Sequence, residues 1–537
     1  MSAHPRSASA SHDTPVLVVG AGPVGSVLAL ELARYGVASI VVERSLRPSP
    51  YPKMDYVNGR SMELLRRLGL AEEIRSRGVA RDQPSNFLFA RGYDEAPIAI
   101  WRYPSVAETA ARYAAAGDGS EPLEAYQRVR GSLLEDVVRG AAREHPLIDL
   151  REGWTFTGLD QGPGGVTATV AEGDGGAART LRARFLVACD GAGSAVRDVV
   201  GVPLDVAAPP TRHCSLYFRS SDPLLNRHGR NFLTVTAKGL NLVSRDGADT
   251  WTASFRIADG EPFPADPVAV MYERFGCSFT VDELLNVSQW QGSLSVARAY
   301  REGAVFLAGD CAHQFYPVGG HGANTGLGDA VDLGWKLAAV VGGWGGPALL
   351  DSYEAERRPV ALFNREMCVN LMEVWRRFAQ LTSIGATREQ LAGFLEQEDY
   401  QLDNVGIHHG YRYAGSPVVS APDGPAPRWE WRRVSPKPWP GGRLPSIRLA
   451  GGAALFDRLG TGLTLLDLSG TGDGVPAVKE AERRGLPVTR LALDDAAAIR
   501  EAWGCSLVLV RPDQHVAWQG DTVPDDWDAV LDRVTGH

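Results

Sequence analysis

Three glycine-rich segments, far apart in the chain, carry the residue types that let a backbone approach a phosphate or a flat ring. The first is Gly20-Ala21-Gly22-Pro23-Val24-Gly25. The second is Cys189-Asp190-Gly191-Ala192-Gly193-Ser194-Ala195-Val196-Arg197. The third is Gly309-Asp310-Cys311-Ala312-His313, running through Pro317 to Gly319-Gly320-His321-Gly322-Ala323-Asn324-Thr325. Glycine turns where other residues strain, and it leaves room where a side chain would meet a ligand. An Asp-Gly or Gly-Asp pair alone reads equally well as a turn. All three in this order, each after an apolar run, describe one nucleotide-type site.

The elements that must position these segments follow from the flanking patterns. Pro15 to Val19 reads as a short buried strand, and Ser26 to Tyr35 as a helix stopped by Gly36. Between them, Gly20 permits the tight turn, Gly22 admits a pyrophosphate, and Gly25 lets helix and strand pack closely. The helix N-terminus offers free N–H groups to the phosphates. A second strand, Ser39 to Val42, ends at Glu43, placed to bind ribose hydroxyls. This unit alone does not choose between FAD and NAD. Phe185 to Cys189 and Val305 to Ala308 are further strand-like runs. They set Asp190 and Asp310 at the carboxyl ends of strands, where open α/β sheets bind ligands. Gly328 to Leu337 reads as a helix whose N-terminal end lies near Asn324 and Thr325, with Asp329 and Asp332 early and Lys336 late, a distribution that suits the helix dipole.

At 537 residues the chain is too long for one core and predicts two or three domains. Its 44% hydrophobic and 22% charged content is that of a soluble globular protein. A net charge of −9 argues against nucleic acid as a partner. No apolar run approaches the roughly 20 residues of a membrane span. Met1 to Thr14 is Ser/Ala/His-rich and reads as a flexible tail rather than a signal peptide. The six cysteines are scattered with no C-x-x-C, so neither a zinc ribbon nor a redox pair is predicted, and a reduced cytoplasmic setting is expected. No metal-ligand spacing such as H-E-x-x-H occurs.

The chain resembles the single-component FAD-dependent aromatic hydroxylases, typified by p-hydroxybenzoate and phenol hydroxylases. The resemblance rests on the dinucleotide turn, the Asp190–Arg197 motif, the Gly309–Asn324 motif, and Asp329-Ala-x-x-Leu-x-Trp-Lys-Leu-Ala338. Tyr353-Glu354-x-Glu356-Arg357-Arg358-Pro359 continues it. The resemblance implies that Glu43 binds the adenosine ribose and Asp310 the ribityl chain. The backbone of Gly320, Gly322, Ala323, Asn324 and Thr325, after Pro317, would hold the isoalloxazine ring. Asp190, Gly191 and Arg197 would serve both FAD and the reducing nicotinamide, NADPH or NADH. Departures from the family pattern leave two roles open. A basic residue after the second strand is Arg44 or Lys53. A ribityl contact falls to Gln127, Arg128 or Arg130, because Gly131 stands at the usual offset.

The family fold implied is α/β, a Rossmann-like FAD-binding domain with an inserted β-sheet substrate domain and a C-terminal thioredoxin-like domain. The FAD domain is assigned to 15–80, 120–205 and 293–400, and the substrate domain to 81–119 and 206–292. Both substrate segments are rich in strand-like aromatic runs, and Tyr217 and Arg256 are first guesses for pocket residues. Residues 401–460, Pro/Gly/Trp-rich over their first part, read as a linker or covering segment, with His408-His409 on a surface loop. From 461 to 537 the pattern is strand, helix, strand, helix, strand, strand, helix. That order resembles a thioredoxin-like domain, but Cys505 stands alone, so its part would be structural or dimer-forming.

The activity implied is mono-oxygenation. NAD(P)H reduces the flavin, O2 adds to give a C4a-hydroperoxide, and an electron-rich ring is hydroxylated. The substrate class implied is a phenolic or quinonoid, multi-ring aromatic polyketide. The chain itself would be a monomer or homodimer. The same scaffold also serves Baeyer–Villiger or ring-rearranging oxygenases, and a non-catalytic flavin sensor is a third reading. A halogenase is disfavoured, since Trp429-Glu430-Trp431 runs into Arg432-Arg433 rather than Ile-Pro. The general base is not legible. His313 and His321 lie in the flavin loop and join Tyr217 and Arg256 as candidates.

Overall fold

The computed structural model describes residues 12–51, 54–173, 175–420 and 424–537. Three sheets carry the architecture. In the first, Thr14–Val19 lies parallel between Ser39–Glu43 and Ala178–Ala188. Val305–Leu307 extends it parallel on one side and Ile148–Glu152 on the other. Val16, Leu17, Val18, Leu186, Val187 and Phe306 are buried in its centre. These are continuous apolar runs, as a parallel sheet covered on both faces requires. Six helices matter to the site: α1 (Pro23–Arg34), α2 (Gly59–Arg66), α3 (Gly131–Glu144), α4 (His321–Val341), α5 (Pro347–Ser383) and α6 (Val405–His409).

The second sheet is mainly antiparallel. Its order runs His313–Gln314, Glu283–Ala297, Leu204–Arg219, Thr250–Ile257, Leu240–Ser244, Leu233–Thr236, Phe87–Ala90, Ala99–Trp101. Residues 81–119 thus supply the last two strands at one end of the sheet, and also a helix, Val106–Ala116, capped by Ser105 in a capping box with Glu108. The strand His313–Gln314 comes from the third glycine-rich segment itself, so that loop and the sheet are hydrogen-bonded together. A two-stranded ribbon, Tyr56–Val57 with Gln127–Arg128, lies between the first two sheets in the chain path.

The C-terminal sheet has the order Val488–Ala492, Leu463–Asp467, Leu507–Val510, Val516–Gly520. Its first pair is parallel and the other two pairs antiparallel. Helices Val475–Arg483, Ala496–Trp503 and Trp527–Thr535 complete it. Elements and their order match those read from the sequence, because each strand there is a short apolar run bounded by Gly, Pro or Asp. Among the described residues, no helix is long and apolar enough to cross a membrane.

Two expectations are corrected. Helix α4 begins at His321, after Gly320 in the left-handed region at φ +68°, about one turn before the expected start near Asn324 and Thr325. Asp329, Asp332 and Lys336 are therefore mid-helix and buried, and they serve ion pairs rather than the dipole. His408 and His409 are not on a surface loop. They are buried on α6, which packs near α2 and the start of α4.

Candidate active site

The dinucleotide turn separates its glycines by what surrounds them. Gly20 has φ +102°, and a Cβ there would overlap the carbonyl of Cys189. A Cβ on Gly25 would overlap the carbonyl of Gly20. Both glycines are demanded by the fold. Gly22 differs, because a Cβ there would meet nothing within 4 Å. Pro23 opens α1, where its missing N–H costs nothing. Val24 packs against Gly309 and Gly326, joining the first segment to the third. Glu43 accepts from Ala21 N at 2.8 Å and from Ser45 N at 2.7 Å, so its carboxylate is held at the mouth of the turn. Arg44 is exposed. Lys53 lies outside the described residues.

Asp190 follows the central strand. Its Oδ2 accepts from Val196 N at 3.1 Å, while Oδ1 is buried with no protein partner. Burial pushes this carboxyl above the usual range, against hydrogen bonds from the following turn. Gly191 turns at φ +84°. Arg197 donates to the carbonyls of Cys311 at 3.0 Å and Ala192 at 3.2 Å, pinning the second segment to the third.

In the third segment Gly309 N donates to Asp329 Oδ2 at 3.1 Å, and His313 Nε2 contacts the same oxygen at 2.8 Å. Asp329 also accepts from Arg357 Nε at 2.8 Å. His313 is fully buried and committed to this scaffold. Asp310 and Pro317 are exposed at the loop surface. Gly320 to Ala323 form the first turn of α4, where backbone N–H groups lack helical acceptors. A Cβ on Gly322 would again meet nothing within 4 Å. Asn324 Nδ2 donates to Tyr56 O at 2.9 Å, and its Oδ1 accepts from Asn58 N at 3.0 Å. Thr325 accepts from Asn364 Nδ2 at 2.8 Å. His321 is buried 3.4 Å from His408, and burial drops it to about 4, so it is neutral at pH 7.

Of the three residues open for the ribityl contact, Gln127 is buried and spends its amide on Val79 O and Arg128 O, both at 3.0 Å. Arg128 donates to Ser244 O at 2.6 Å and stacks over Phe232. Arg130 stands half-buried before α3, with Nη1 3.4 Å from Tyr217 OH.

Tyr217 and Thr252 are cross-strand partners, so they share one face of the second sheet. Along that face Ser215 meets Ser254 at 2.7 Å and Trp290 Nε1 at 2.8 Å, and His213 stacks on Trp290. Thr211 contacts Tyr316 OH at 2.5 Å, which ties this face to the flavin loop. Arg256 lies two steps along the same strand, exposed and paired with Asp259 at 3.0 Å. It is remote from Tyr217.

One acid went unread in the sequence. Asp55, next to the ribbon, pairs with Arg245, which in turn donates to Thr252 Oγ1 at 2.8 Å. Asp55 Oδ1 is buried and has no protein partner. Burial raises its pKa, and Arg245 only partly opposes this. No local pattern signals such a pair, since the partners are 190 residues apart.

The donor set fits a flavin dinucleotide: a phosphate-accessible turn at Gly22, an unsatisfied carboxylate oxygen on Asp190, and an open helix start at Gly322. Residues 13–364 match the model of the FAD binding domain, and residues 437–537 match that of the aromatic-ring hydroxylase C-terminal domain. The chain belongs to the FAD-dependent aromatic-ring hydroxylases. Among similar members, the FAD-dependent monooxygenase apdD of Emericella nidulans is 34% identical over 97% of this chain and 90% of its own length. The tetracenomycin B2 monooxygenase-dioxygenase of Streptomyces olivaceus is 30% identical over 97% and 98%. The rebeccamycin biosynthetic enzyme RebC with reduced flavin superposes with a TM-score of 0.85 at 31% identity, covering 98% and 100%. As in this hydroxylase family, FAD is the bound cofactor, and NAD(P)H and O2 are co-substrates. The chain is a monooxygenase that hydroxylates an aromatic substrate.

Proposed function

We propose that the chain hydroxylates a phenolic or quinonoid ring of a multi-ring, polyketide-derived substrate, with Asp55 as the group that takes the phenol proton. The observation that carries this reading is the buried, unpartnered Oδ1 of Asp55 beside Arg245 and the Tyr217–Thr252 face. A raised pKa makes Asp55 a better base than a free carboxylate, and the Arg245 guanidinium beside it favours the ionised form. Tyr217, steadied by Arg130, orients the ring by a hydrogen bond, and the sheet face built from Ser215, His213 and Trp290 excludes water from it.

FAD, when bound, supplies hydride acceptance from NAD(P)H and activation of O2 for transfer of one oxygen atom. In this reading Glu43 holds the adenosine ribose and the Gly20–Gly25 turn the pyrophosphate. Asp310 takes the ribityl chain, the Asp190 motif serves both FAD and the reducing nicotinamide, and the first turn of α4 holds the flavin ring. Arg130 is the preferred ribityl contact, because Gln127 spends its amide within the protein and the Arg128 guanidinium is turned to Ser244 O and the Phe232 ring.

The domain limits proposed are 15–80, 120–205 and 293–400 for FAD, 81–119 and 206–292 for substrate, 401–460 for the covering segment and 461–537 for a thioredoxin-like domain. The strand order and mixed pairing of the C-terminal sheet support the last. Its lone Cys505 is buried, which supports a structural role. Six free cysteines among the described residues fit a reduced, cytoplasmic setting. The test is NAD(P)H oxidation by the purified yellow protein with a panel of phenols and polycyclic quinones, with products weighed by mass spectrometry. Stimulation with a gain of one oxygen supports the reading. Stimulation by none of the panel would overturn the substrate class.

A further inference from the structure

The turn between Leu507–Val510 and Val516–Gly520 reaches out of the C-terminal sheet into the FAD domain. Arg511 at its start is 1% exposed. Its guanidinium donates to both oxygens of Glu356 on α5 at 2.6 and 2.8 Å, to Asp332 on α4 at 3.0 Å, and to Asp513 in its own turn at 2.7 Å. Lys336 of α4 completes the cluster, 2.8 Å from Asp332 and 2.5 Å from Glu356. The turn is otherwise locked. Gln514 is the one non-glycine residue at positive φ among the described residues, at +69°. It accepts from Arg60 of α2 at 2.5 Å, and Arg60 also donates to Asp513 O at 2.8 Å.

The cluster continues toward the cofactor site. Arg357, the neighbour of Glu356, donates to Asp329 at 2.8 Å and to Thr325 O at 2.9 Å. Asp329 holds Gly309 N and His313. Two sets of buried ion pairs, joined where Glu356 and Arg357 adjoin on α5, thus link the C-terminal turn to both ends of the glycine-rich loop 309–325. Around Arg511 itself, the buried carboxylates of Asp332, Glu356 and Asp513 meet two buried cations, Arg511 and Lys336, so removing Arg511 leaves excess negative charge with nowhere to go.

We propose that Arg511 is a positioning residue for the cofactor, and that the C-terminal domain acts through it to fix the first turn of α4. This rests on the reading of that turn as the seat of the flavin ring. The domain needs no redox cysteines for such a part.

The test uses the full chain with Arg511→Met and Arg511→Lys, plus Arg490→Met as a control within the C-terminal sheet, where Arg490 pairs with Asp467 at 2.7 Å. Two quantities are read: amide exchange across 319–327 in the FAD-free protein, and FAD affinity by flavin fluorescence. Expected for R511M is faster exchange at 319–327 and about tenfold weaker FAD binding. R511K, which keeps the charge but loses the fork, should fall between R511M and the parent, and R490M should match the parent. If R511M does not accumulate folded, R511K against the parent decides. Unchanged exchange at 319–327, with faster exchange confined to 461–537, would overturn the proposal. Faster exchange with unchanged FAD affinity would uphold the anchoring and overturn the flavin seat.

Discussion

Asn324, at the start of α4, accepts from the backbone N–H of Asn58 at 3.0 Å, while Asn58 caps α2 through its own side chain. The two asparagines thereby fasten the start of α4 to the ribbon that follows Asp55. An isosteric acid or a truncation cannot make both contacts, since Asn324 also donates to Tyr56 O at 2.9 Å. Asn324→Ala leaves a buried N–H and C=O unsatisfied and is expected to cost about 1–3 kcal/mol. Denaturant titration of the FAD-free protein checks the magnitude. A loss confined to the FAD-bound form would contradict a role within the fold.

Asp55→Asn removes the proposed proton acceptor and keeps the side-chain shape. Ring hydroxylation should fall about 100-fold or more, while NAD(P)H consumption continues. Product formed per NAD(P)H consumed is the measurement. The pH dependence has a definite sign. Burial raises the Asp55 pKa, so hydroxylation by the parent falls as pH drops through a value above the ordinary carboxylate range. That acid limb should vanish in the variant. An unchanged ratio and limb would remove Asp55 from the chemistry.

Glu63 on α2 joins the covering segment to the FAD domain through Arg443, with Nε 2.9 Å from Oε2. Burial alone would raise its pKa, but Arg443, His409 and Arg60 more than offset that and hold it at about 2. A carboxylate lowered on folding stabilises the fold above its unfolded value, and this is lost as pH falls toward the folded value. The drop from 4.5 to about 2 corresponds to about 3 kcal/mol at neutral pH. Glu63→Gln should therefore be less stable than the parent at pH 7, with the difference shrinking between pH 4.5 and 2. Thermal melts across that range read it directly.

Cys505 is the one cysteine of the C-terminal domain, and burial pushes its thiol up to about 12. Such a thiol is almost wholly protonated at pH 7 and a poor nucleophile. Cys505→Ala should leave turnover unchanged, and so should addition of a thiol reductant. A loss of activity on reduction would restore a redox role to this domain.

How far the sequence could be read depends on the range of each interaction. The strands around Gly20 and the whole C-terminal order were legible, because apolar runs and Gly or Pro stops are local signals. The start of α4 is legible only to within a turn, because Gly319 to Gly322 read as loop while Gly320 in fact caps the helix. Asp329, Asp332 and Lys336 were misread for a related reason. Their spacing suits a dipole, but their partners Arg357, Glu356 and Arg511 lie up to 179 residues away. Asp55 and Arg245 are hidden in the same way. His408 and His409 looked polar enough for a surface loop, and only the packing of α6 buries them.

The glycines of the first turn offer a clean separation of fold from ligand. An alanine at Gly25 would drive its Cβ into Gly20 O, so Gly25→Ala should destabilise the protein with or without FAD. At Gly22 the backbone is at φ −62°, which any residue adopts, and the added methyl would touch nothing within 4 Å. Gly22→Ala should therefore melt like the parent when FAD-free. If the pyrophosphate lies where the open space suggests, the same methyl would collide with it, and FAD affinity should fall about tenfold or more. Calorimetric melts of both variants in the two states give four numbers that decide the matter. A Gly22→Ala protein that binds FAD as tightly as the parent would move the phosphates away from this turn.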